Sequence, residues 1–461
     1  MHKSLWAGLA CALCLPLSAQ ADPAAAEIAA LRQEFATIRA AYEARLQALE
    51  QRLQRAEAQA AVPAQPASLA VAVEPPAPGP AAPGGSGANA FNPALSLILS
   101  GTYASRSQDP SHYAIAGFLL PSGAELGPGP RGLQLAESEL GISASIDPWL
   151  RGAAHIALHP DNTVSVEEAY AQTTALGAGL SIKAGRFFSG LGYLNSRHAH
   201  TWDFVDNPLA YQALLGTQYG DDGVQLRWLA PTDQFIQLGL EVGRGRSFPG
   251  GDNSRNGAGM TALTAHTGAD LGDSHSWRAG LSVLRAKADD QALVGLDPAG
   301  LAVLTAFSGS TRVWVADALW KWAPRGNATR TYFTLQAEYL HSTRSGSLTH
   351  DPGGAASTGA YRAVQQGAYL QGVYQFMPRW RAGLRTERLD AGTPDYGPNA
   401  GLLAATGFSP RKHTLMVDFN PSEFSRLRLQ LAHDLARPGS TDRQLTLQYQ
   451  TSLGAHGAHS Y

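Results

Sequence analysis

Apolar and polar residues alternate one by one over most of the chain, from about residue 91 to residue 461. Residues 426–431 read Arg-Leu-Arg-Leu-Gln-Leu, and residues 333–339 read Phe-Thr-Leu-Gln-Ala-Glu-Tyr. Successive side chains of a β-strand point to opposite faces, so each strand has one apolar face and one face rich in Gln, Thr and Arg. An apolar outer surface around a wet, polar lumen is typical of transmembrane β-barrels. The pattern therefore predicts an all-β transmembrane barrel over residues 91–461.

The alternation stops and resumes at stretches rich in Gly, Pro and Asp, which mark the strand boundaries. Counting them predicts about 16 antiparallel strands, an even number as bacterial outer-membrane barrels have. The predicted strands start near residues 94, 132, 149, 164, 179, 222, 234, 260, 276, 311, 329, 362, 378, 411, 424 and 441.

Short and long connections alternate between these strands. The short ones contain proline and lie near residues 147–149, 230–233, 323–325, 377–379 and 420–422. The long ones are rich in Gly, Asp and Ser and lie near residues 105–131, 188–221, 245–258, 286–310, 343–361 and 388–410. In outer-membrane barrels the short turns face the periplasm and the long loops face outward. The order predicts that the N-terminal part of the chain lies in the periplasm.

Residues 22–59 have a helical pattern instead. Their larger apolar residues recur in steps of three or four, as in a coiled-coil seam. The seam consists of Ile28, Leu31, Phe35, Ile38, Tyr42, Leu46, Leu49 and Leu53. We predict a periplasmic coiled coil that joins the chains as a homotrimer, since a single solvated helix, the alternative, leaves this stripe exposed. Residues 60–90 are mostly Ala, Pro and Gly and predict an extended linker.

Residues 1–21 have the basic start, short apolar run and Ala-x-Ala ending of a signal peptide. Cys11 and Cys14, the two cysteines of the chain, lie within it, so we expect no disulfide or cysteine-ligated metal in the mature protein. The net charge of -2 gives no basis for a nucleic-acid partner. The C-terminal aromatic residue, Tyr461, predicts recognition by the barrel-assembly machinery, with outer-membrane lipid as the surrounding partner.

Several motifs resemble a family of proteobacterial outer-membrane barrels that carry a coiled coil. They are the segments 185–193, 198–206, 219–223 and 453–459. This family is often labelled zinc-regulated outer-membrane receptor and is distantly similar to phosphate-selective porins, so the resemblance implies a barrel linked to zinc or other metal supply. The helix and linker before the first strand leave no room for the globular plug of a TonB-dependent receptor, which favours a passive channel.

The third long connection holds a group of polar residues at the position where porins commonly fold a loop inward. His198, His200 and Asp203 have the imidazole and carboxylate groups that zinc takes, and they predict a transient zinc site. The alternative is a hydrated constriction without metal, which the lack of a third His or Cys favours. Arg186, Arg197 and Asp206 are assigned to the same pore lining.

Strand alternation also predicts arginines that face the lumen near the short turns: Arg151, Arg227, Arg278, Arg379, Arg381, Arg426 and Arg428. A ring of guanidinium groups favours anions. Alternation places Glu139, Glu241, Glu338 and Glu387 inward as well. The other interpretation is thus a mixed wall of paired charges with little selectivity.

The sequence contains no Gly-x-Ser-x-Gly, phosphate-binding loop or His-Glu-x-x-His motif, and we predict no enzyme. The predicted function is a porin-like channel for passive diffusion of small hydrophilic solutes or ions, with no cofactor other than transient zinc. The alternative is a structural tether that uses the coiled coil for oligomerisation or cell-wall contact.

Deletion of residues 22–60 is expected to convert a detergent-solubilised trimer into monomers, because the seam from Ile28 to Leu53 buries its apolar stripe only between chains. Light scattering measures the mass of both forms. An unchanged mass would show that the barrel walls make the interface.

Overall fold

The computed structural model describes residues 93–124, 126–251 and 256–454. The chain divides into two compact units, Met1–Gly84 and Gly85–Tyr461, and the described residues belong to the second. The predicted signal peptide, the coiled coil, most of the linker and Tyr461 lie outside the described residues. No helix among the described residues is long and apolar enough to cross a bilayer.

The described residues form antiparallel strands with few helical turns. The strands are β1 (Ala94–Arg106), β2 (Leu120–Pro121), β3 (Gly132–Leu135), β4 (Ser138–Ser145), β5 (Leu150–Leu158), β6 (Val164–Thr173), β7 (Leu180–Phe188), β8 (Gly220–Leu229), β9 (Phe235–Gly243), β10 (Met260–Leu271), β11 (His275–Leu296), β12 (Ala302–Trp322), β13 (Tyr332–His350), β14 (Ser357–Met377), β15 (Trp380–Asp390), β16 (Arg411–Ser422), β17 (Ser425–Arg437) and β18 (Ser440–Gly454). The helix α1 spans Leu209–Leu215, and short 3-10 turns lie at Pro110–His112, Ala199–Thr201, Pro324–Gly326 and Gly397–Asn399.

The sheet closes on itself because the first and last strands pair. β1 pairs with β18 from Ser96 opposite Gly454 to Arg106 opposite Gln444, and with β3 and β4 on its other side. β3 and β4 share one position in the barrel, and the two-residue β2 pairs with β11. The 18 strands therefore fill 16 positions, which confirms the predicted number. A closed sheet leaves no unpaired edge, as a lipid environment requires.

The barrel has an apolar outer surface and a polar inner one. On β17 and β18, Leu429 and Leu447 are 41% and 46% exposed, whereas their neighbours Arg428 and Gln430 are 1% and 4% exposed. This is the reverse of the distribution in a water-soluble protein. The outward residues thus form a surface suited to lipid, and the polar residues face the lumen.

The two ends of the barrel differ in their connections. One end, here the turn side, has connections such as 146–149, 272–274, 378–379 and 423–424, and both ends of the described barrel chain lie there. The other end, the loop side, has the long connections 107–131, 189–219, 244–259 and 391–410.

Two of the predicted long loops are wrong. The regions 286–310 and 343–361 are mainly strand, because β11 to β14 extend beyond the other strands and leave connections of only 297–301 and 351–356. Cross-strand pairing continues through both regions. It reaches Leu296 opposite Ala302 in the first region and His350 opposite Ser357 in the second.

Residues 189–219, here the inward segment, fold into the lumen and contain α1. Pro208 precedes α1, and Gly216 ends it with a positive φ of 65°, which glycine adopts without a steric penalty. All seven residues of α1 are buried. Six of them, all except Gln212, pack with Ile115 and Phe118 of the first long loop and with Val313 and Leu340 of the wall in one apolar core. The loop-side part of the lumen is therefore partly filled.

A positive charge on the outer surface should destabilise the barrel most at mid-height. Leu431→Arg, in the middle of β17, is expected to cost about 2–4 kcal/mol, whereas Leu271→Arg, at the turn-side end of β10, should cost about 0–1 kcal/mol. Reversible guanidinium unfolding in phospholipid vesicles measures both. Equal costs would contradict the assignment of the outer surface to lipid.

Candidate functional site

A cavity of about 1140 Å³, here the vestibule, enters the barrel from the turn side. Turn residues such as Gly272, Asp273 and Glu423 line its outer part. The inward segment closes its inner end with residues that include His198, Trp202 and Asp203. Most of the lining residues are polar or charged, so the vestibule can hold water and small hydrophilic solutes.

Wall glutamates hold the inward segment in place by accepting its hydrogen bonds. Glu338 on β13 accepts from the backbone N–H groups of Tyr193 (3.2 Å) and Leu194 (3.0 Å) and from the hydroxyls of Tyr211 (2.7 Å) and Tyr369 (2.6 Å). The four residues are buried, so their donor groups need acceptors inside the protein.

Glu241 and Glu387 act in the same way, near the start of the inward segment and at the start of α1. Glu241 accepts from the backbone N–H of Gly190 (2.8 Å), and Glu387 accepts from that of Leu209 at the start of α1 (2.5 Å). The inward orientation of both is confirmed by their exposures of 1% and 2%. Their carboxylates thus support the loop instead of facing open water.

Aspartates of the inward segment bind a basic arc of the wall formed by β15, β16 and β17. Asp203 pairs with Arg381 (3.0 Å), and Arg381 also pairs with Asp418. Asp418 receives two hydrogen bonds from Arg428, at 2.7 and 2.9 Å. Arg428 in turn donates to the backbone oxygen of Trp202 (3.0 Å). Two of the predicted lumen arginines thus share an aspartate that the sequence did not single out.

Asp206 lies deeper in the same arc. It pairs with Arg385 (2.9 Å) and Lys412, and Gln430 donates to it (2.9 Å). Burial alone would raise the pKa of Asp206, but Lys412 and Arg385 hold it well below its usual range. Asp206 is therefore a permanent negative charge that binds the inward segment to the wall.

Histidines of the inward segment bind an acidic arc formed by β4, β5 and β6. His198 contacts Glu167 through Nδ1 (3.0 Å) and Glu168 through Nε2 (3.0 Å). Glu139 contacts Nδ1 of His155 (2.6 Å), His198 (3.2 Å) and His200 (3.0 Å). These six residues, here the His/Glu cluster, lie at the inner end of the vestibule.

A β-bulge explains why two adjacent glutamates reach the same imidazole. His155 pairs with Glu168, but the next residue, Ile156, pairs with Val166, so Glu167 is an extra residue in β6. A bulge re-aims side chains that regular alternation would send to opposite faces. Simple strand alternation could therefore not have predicted both contacts.

Three carboxylates, those of Glu139, Glu167 and Glu168, surround the imidazole of His198. Burial would lower the pKa of His198, but hydrogen bonds with Glu139, Glu167 and Glu168 raise it well above its usual range. The inner end of the vestibule therefore attracts a positive charge, while the wall of β15 to β17 is basic. The inward segment spans the two arcs.

The structure divides the predicted site residues into several environments. His198 and His200 lie together, with ring centroids 5.8 Å apart. Asp203 lies with Arg381 instead of with the two histidines, so the predicted set of zinc ligands is not assembled. Arg186 is not a lumen residue. It lies opposite Asp222 of β8 and contacts it at 2.7 Å. Asp222 lies on the same face of β8 as Val224 and Leu226, which are exposed on the outer surface.

Arg197, Arg379 and Arg426 line the vestibule. Arg197 lies over the ring of Tyr193 (4.3 Å), and Arg379 is exposed in the turn between β14 and β15. Arg426 donates to the backbone oxygen of His200 (3.0 Å) and to Gln450 (2.7 Å).

Sequence reasoning missed His155, Glu167 and Glu168 in the His/Glu cluster and Asp418 in the basic arc. The inward position of His155 could have been predicted from the sequence, because strand alternation places it on the same face of β5 as Ala153 and Ala157, which are buried. Asp418 likewise alternates with Val417 and Phe419. The contact of Glu167 with His198 depends on the bulge, which strand alternation does not predict.

Comparisons with known proteins give one relative of similar length and several barrels of low similarity. An uncharacterised protein of Aquifex aeolicus (strain VF5) is 29% identical over 403 residues, which are 81% of this chain and 80% of that protein. No family model matches the chain.

Among solved structures, an anion-selective porin from Comamonas acidovorans is 10% identical, with a TM-score of 0.48 over 78% of this chain and 99% of that one. The trimer form of OmpT, an outer membrane protein of Vibrio cholerae, is 11% identical, with a TM-score of 0.47 over 78% and 99% of the two chains. The outer membrane channel DcaP of Acinetobacter baumannii is 14% identical, with a TM-score of 0.45 over 78% and 97%. Because these scores are low, the barrel fold rests on the strand pairing of this chain itself.

Replacement of Glu338 by Ala is expected to loosen the inward segment. Each buried donor left without a partner costs about 1–3 kcal/mol, so backbone amides near Tyr193 and Leu194 should exchange hydrogen at least about tenfold faster. Hydrogen exchange measured by mass spectrometry tests this. Glu423→Ala, in an exposed turn, is the matched control, and equal exchange in both variants would show that Glu338 does not hold the segment.

Proposed function

We propose that the protein is an outer-membrane channel through which small hydrophilic solutes or ions diffuse passively. The observation that carries this proposal is the polar vestibule of about 1140 Å³ inside a closed barrel with an apolar outer surface. A barrel that serves only as an anchor has no need of a polar cavity of this volume. The turn side faces the periplasm in this proposal, as in outer-membrane barrels generally.

The passage is narrow. The inward segment closes the inner end of the vestibule, and an apolar core that includes Ile115, Leu209 and Val313 occupies part of the loop-side lumen. Solutes must therefore pass beside the inward segment, between the acidic and basic arcs. This favours ions and small polar molecules over larger nutrients.

The unpaired charges of the vestibule support a modest anion preference. Among the described lining residues, the cations outside ion pairs are Arg197, Lys321, Arg379 and Arg426, and the anions outside ion pairs are Asp270, Asp273 and Glu423. The three anions lie in or beside the exposed turns, where water screens them most. Guanidinium groups stay charged at all accessible pH values.

The proposal has two further parts, a homotrimer and a link to metal supply. A homotrimer depends on the predicted coiled coil, which lies outside the described residues. A link to zinc or other metal supply is implied by the family resemblance, and the imidazole and carboxylate groups at the inner end of the vestibule support it. The tether remains the alternative function, since the filled loop-side lumen also suits an anchor.

Ion flux into vesicles tests channel activity directly. Proteoliposomes that enclose a chloride-sensitive dye should equilibrate with external potassium chloride much faster than protein-free liposomes. Heat-denatured protein added to the same liposomes is the control. Equal rates for folded protein and empty liposomes would favour the tether.

Charge selectivity depends on the arginines that have no carboxylate partner. The double change Arg379→Gln and Arg426→Gln should lower the chloride-to-potassium permeability ratio roughly twofold at about 0.1 M salt, where the Debye length is about 10 Å. Reversal potentials in a salt gradient across planar bilayers measure the ratio. Arg411→Gln, on an exposed residue at the loop-side end of β16, is the control. A cation-selective parent channel would contradict the assignment.

A further inference from the structure

The His/Glu cluster has the composition of a transition-metal site. Glu139 on β4, His155 on β5 and His198 on the inward segment each offer one ligand atom, and these atoms lie within 4.8 Å of one another. We propose that these three residues bind a divalent transition-metal ion of the zinc class, which enters through the vestibule. This site differs from the one predicted from sequence, because Glu139 and His155 take the places of His200 and Asp203 among the three ligands.

The ligand chemistry selects the class of ion. Imidazole nitrogen and carboxylate oxygen together suit zinc and its neighbours, whereas magnesium and calcium take oxygen ligands almost alone. Zinc bonds to these atoms are about 2.0–2.2 Å long. Glu139 is now 2.6 Å from Nδ1 of His155 and 3.2 Å from Nδ1 of His198, so small side-chain rotations would open room for an ion. His200 and Glu168 lie beside it as further ligands.

The buried carboxylates of the cluster favour binding of a cation. The side chains of Glu139, Glu167 and Glu168 are 6%, 11% and 9% exposed. Within the described residues these three carboxylates form ion pairs with imidazoles and with no Lys or Arg. The aspartates of the basic arc, by contrast, pair with Arg and Lys. Buried carboxylates normally pair with a cation or coordinate a metal, and a divalent ion here supplies that charge.

The position of the cluster gives the ion a structural consequence. His198 belongs to the inward segment, whereas Glu139 and His155 belong to the wall. A bound ion therefore fastens the segment to β4 and β5. Glu139, His155 and His198 also line the vestibule, so the ion has a path to the site from the turn side. This inference does not depend on conduction.

Metal binding to the purified full-length protein in detergent tests the proposal without measuring flux. Isothermal titration with zinc should show one site per chain, and cobalt should give the visible absorption of a low-symmetry nitrogen and oxygen site. Loss of a residue that only hydrogen-bonds to a metal ligand weakens metal binding roughly 10–100-fold. The double change His155→Gln and His198→Gln removes two ligands and should weaken zinc binding by more than that. His275→Gln is the matched control, since His275 lines the same vestibule but stacks on Trp320, 5.5 Å away.

Each outcome is decisive once heat-modifiable electrophoretic migration shows that the variants are folded. Zinc binding that is lost in the double variant and kept in His275→Gln supports the site. No zinc binding by the parent protein, binding that survives the double change, or calcium binding of equal strength would overturn it. If the double variant does not fold, His198→Gln alone replaces it, with the same criteria.

Discussion

The carboxylates of four wall glutamates hold the inward segment, and the properties of the lumen depend on these contacts. Glu139, Glu241, Glu338 and Glu387 each accept hydrogen bonds or ion pairs from residues 189–219. The apolar outer surface required by lipid leaves the polar side chains facing inward, where buried donors and acceptors must find partners. The inward segment supplies those partners, and in doing so it closes the inner end of the vestibule.

The charges of the wall fix how the segment lies. Its histidines bind the acidic arc of β4 to β6, and its aspartates bind the basic arc of β15 to β17. Reversing this orientation would place like charges together in a region of low dielectric constant, which is strongly unfavourable. A solute that passes beside the segment therefore meets acidic groups on one side and basic groups on the other.

Much of the fold could be predicted from the sequence because strand alternation is a local signal. The 16 barrel positions, their approximate starts and the inward direction of Glu241, Glu338 and Glu387 all follow from it. The pairing of Asp203 with Arg381 could not be predicted, since those residues are brought together only by the path of a long loop. Arg186 was misassigned because it was grouped with the third long connection, whereas it lies on β7 and shares its outward face with Ile182. A shift of one residue along a strand reverses the face of every side chain. The bulge at Glu167 is such a shift, and it hid part of the His/Glu cluster.

In the proposed channel, the docked inward segment limits the passage through the barrel. Single-channel conductance in planar bilayers tests it most directly, with the parent protein compared with the Glu338→Ala variant. Asp233→Ala, in an exposed turn that does not line the vestibule, serves as the control. If the account is correct, release of the segment gives larger and noisier conductance steps in Glu338→Ala only. Steps of unchanged size in a variant whose inward segment is demonstrably loosened would contradict it.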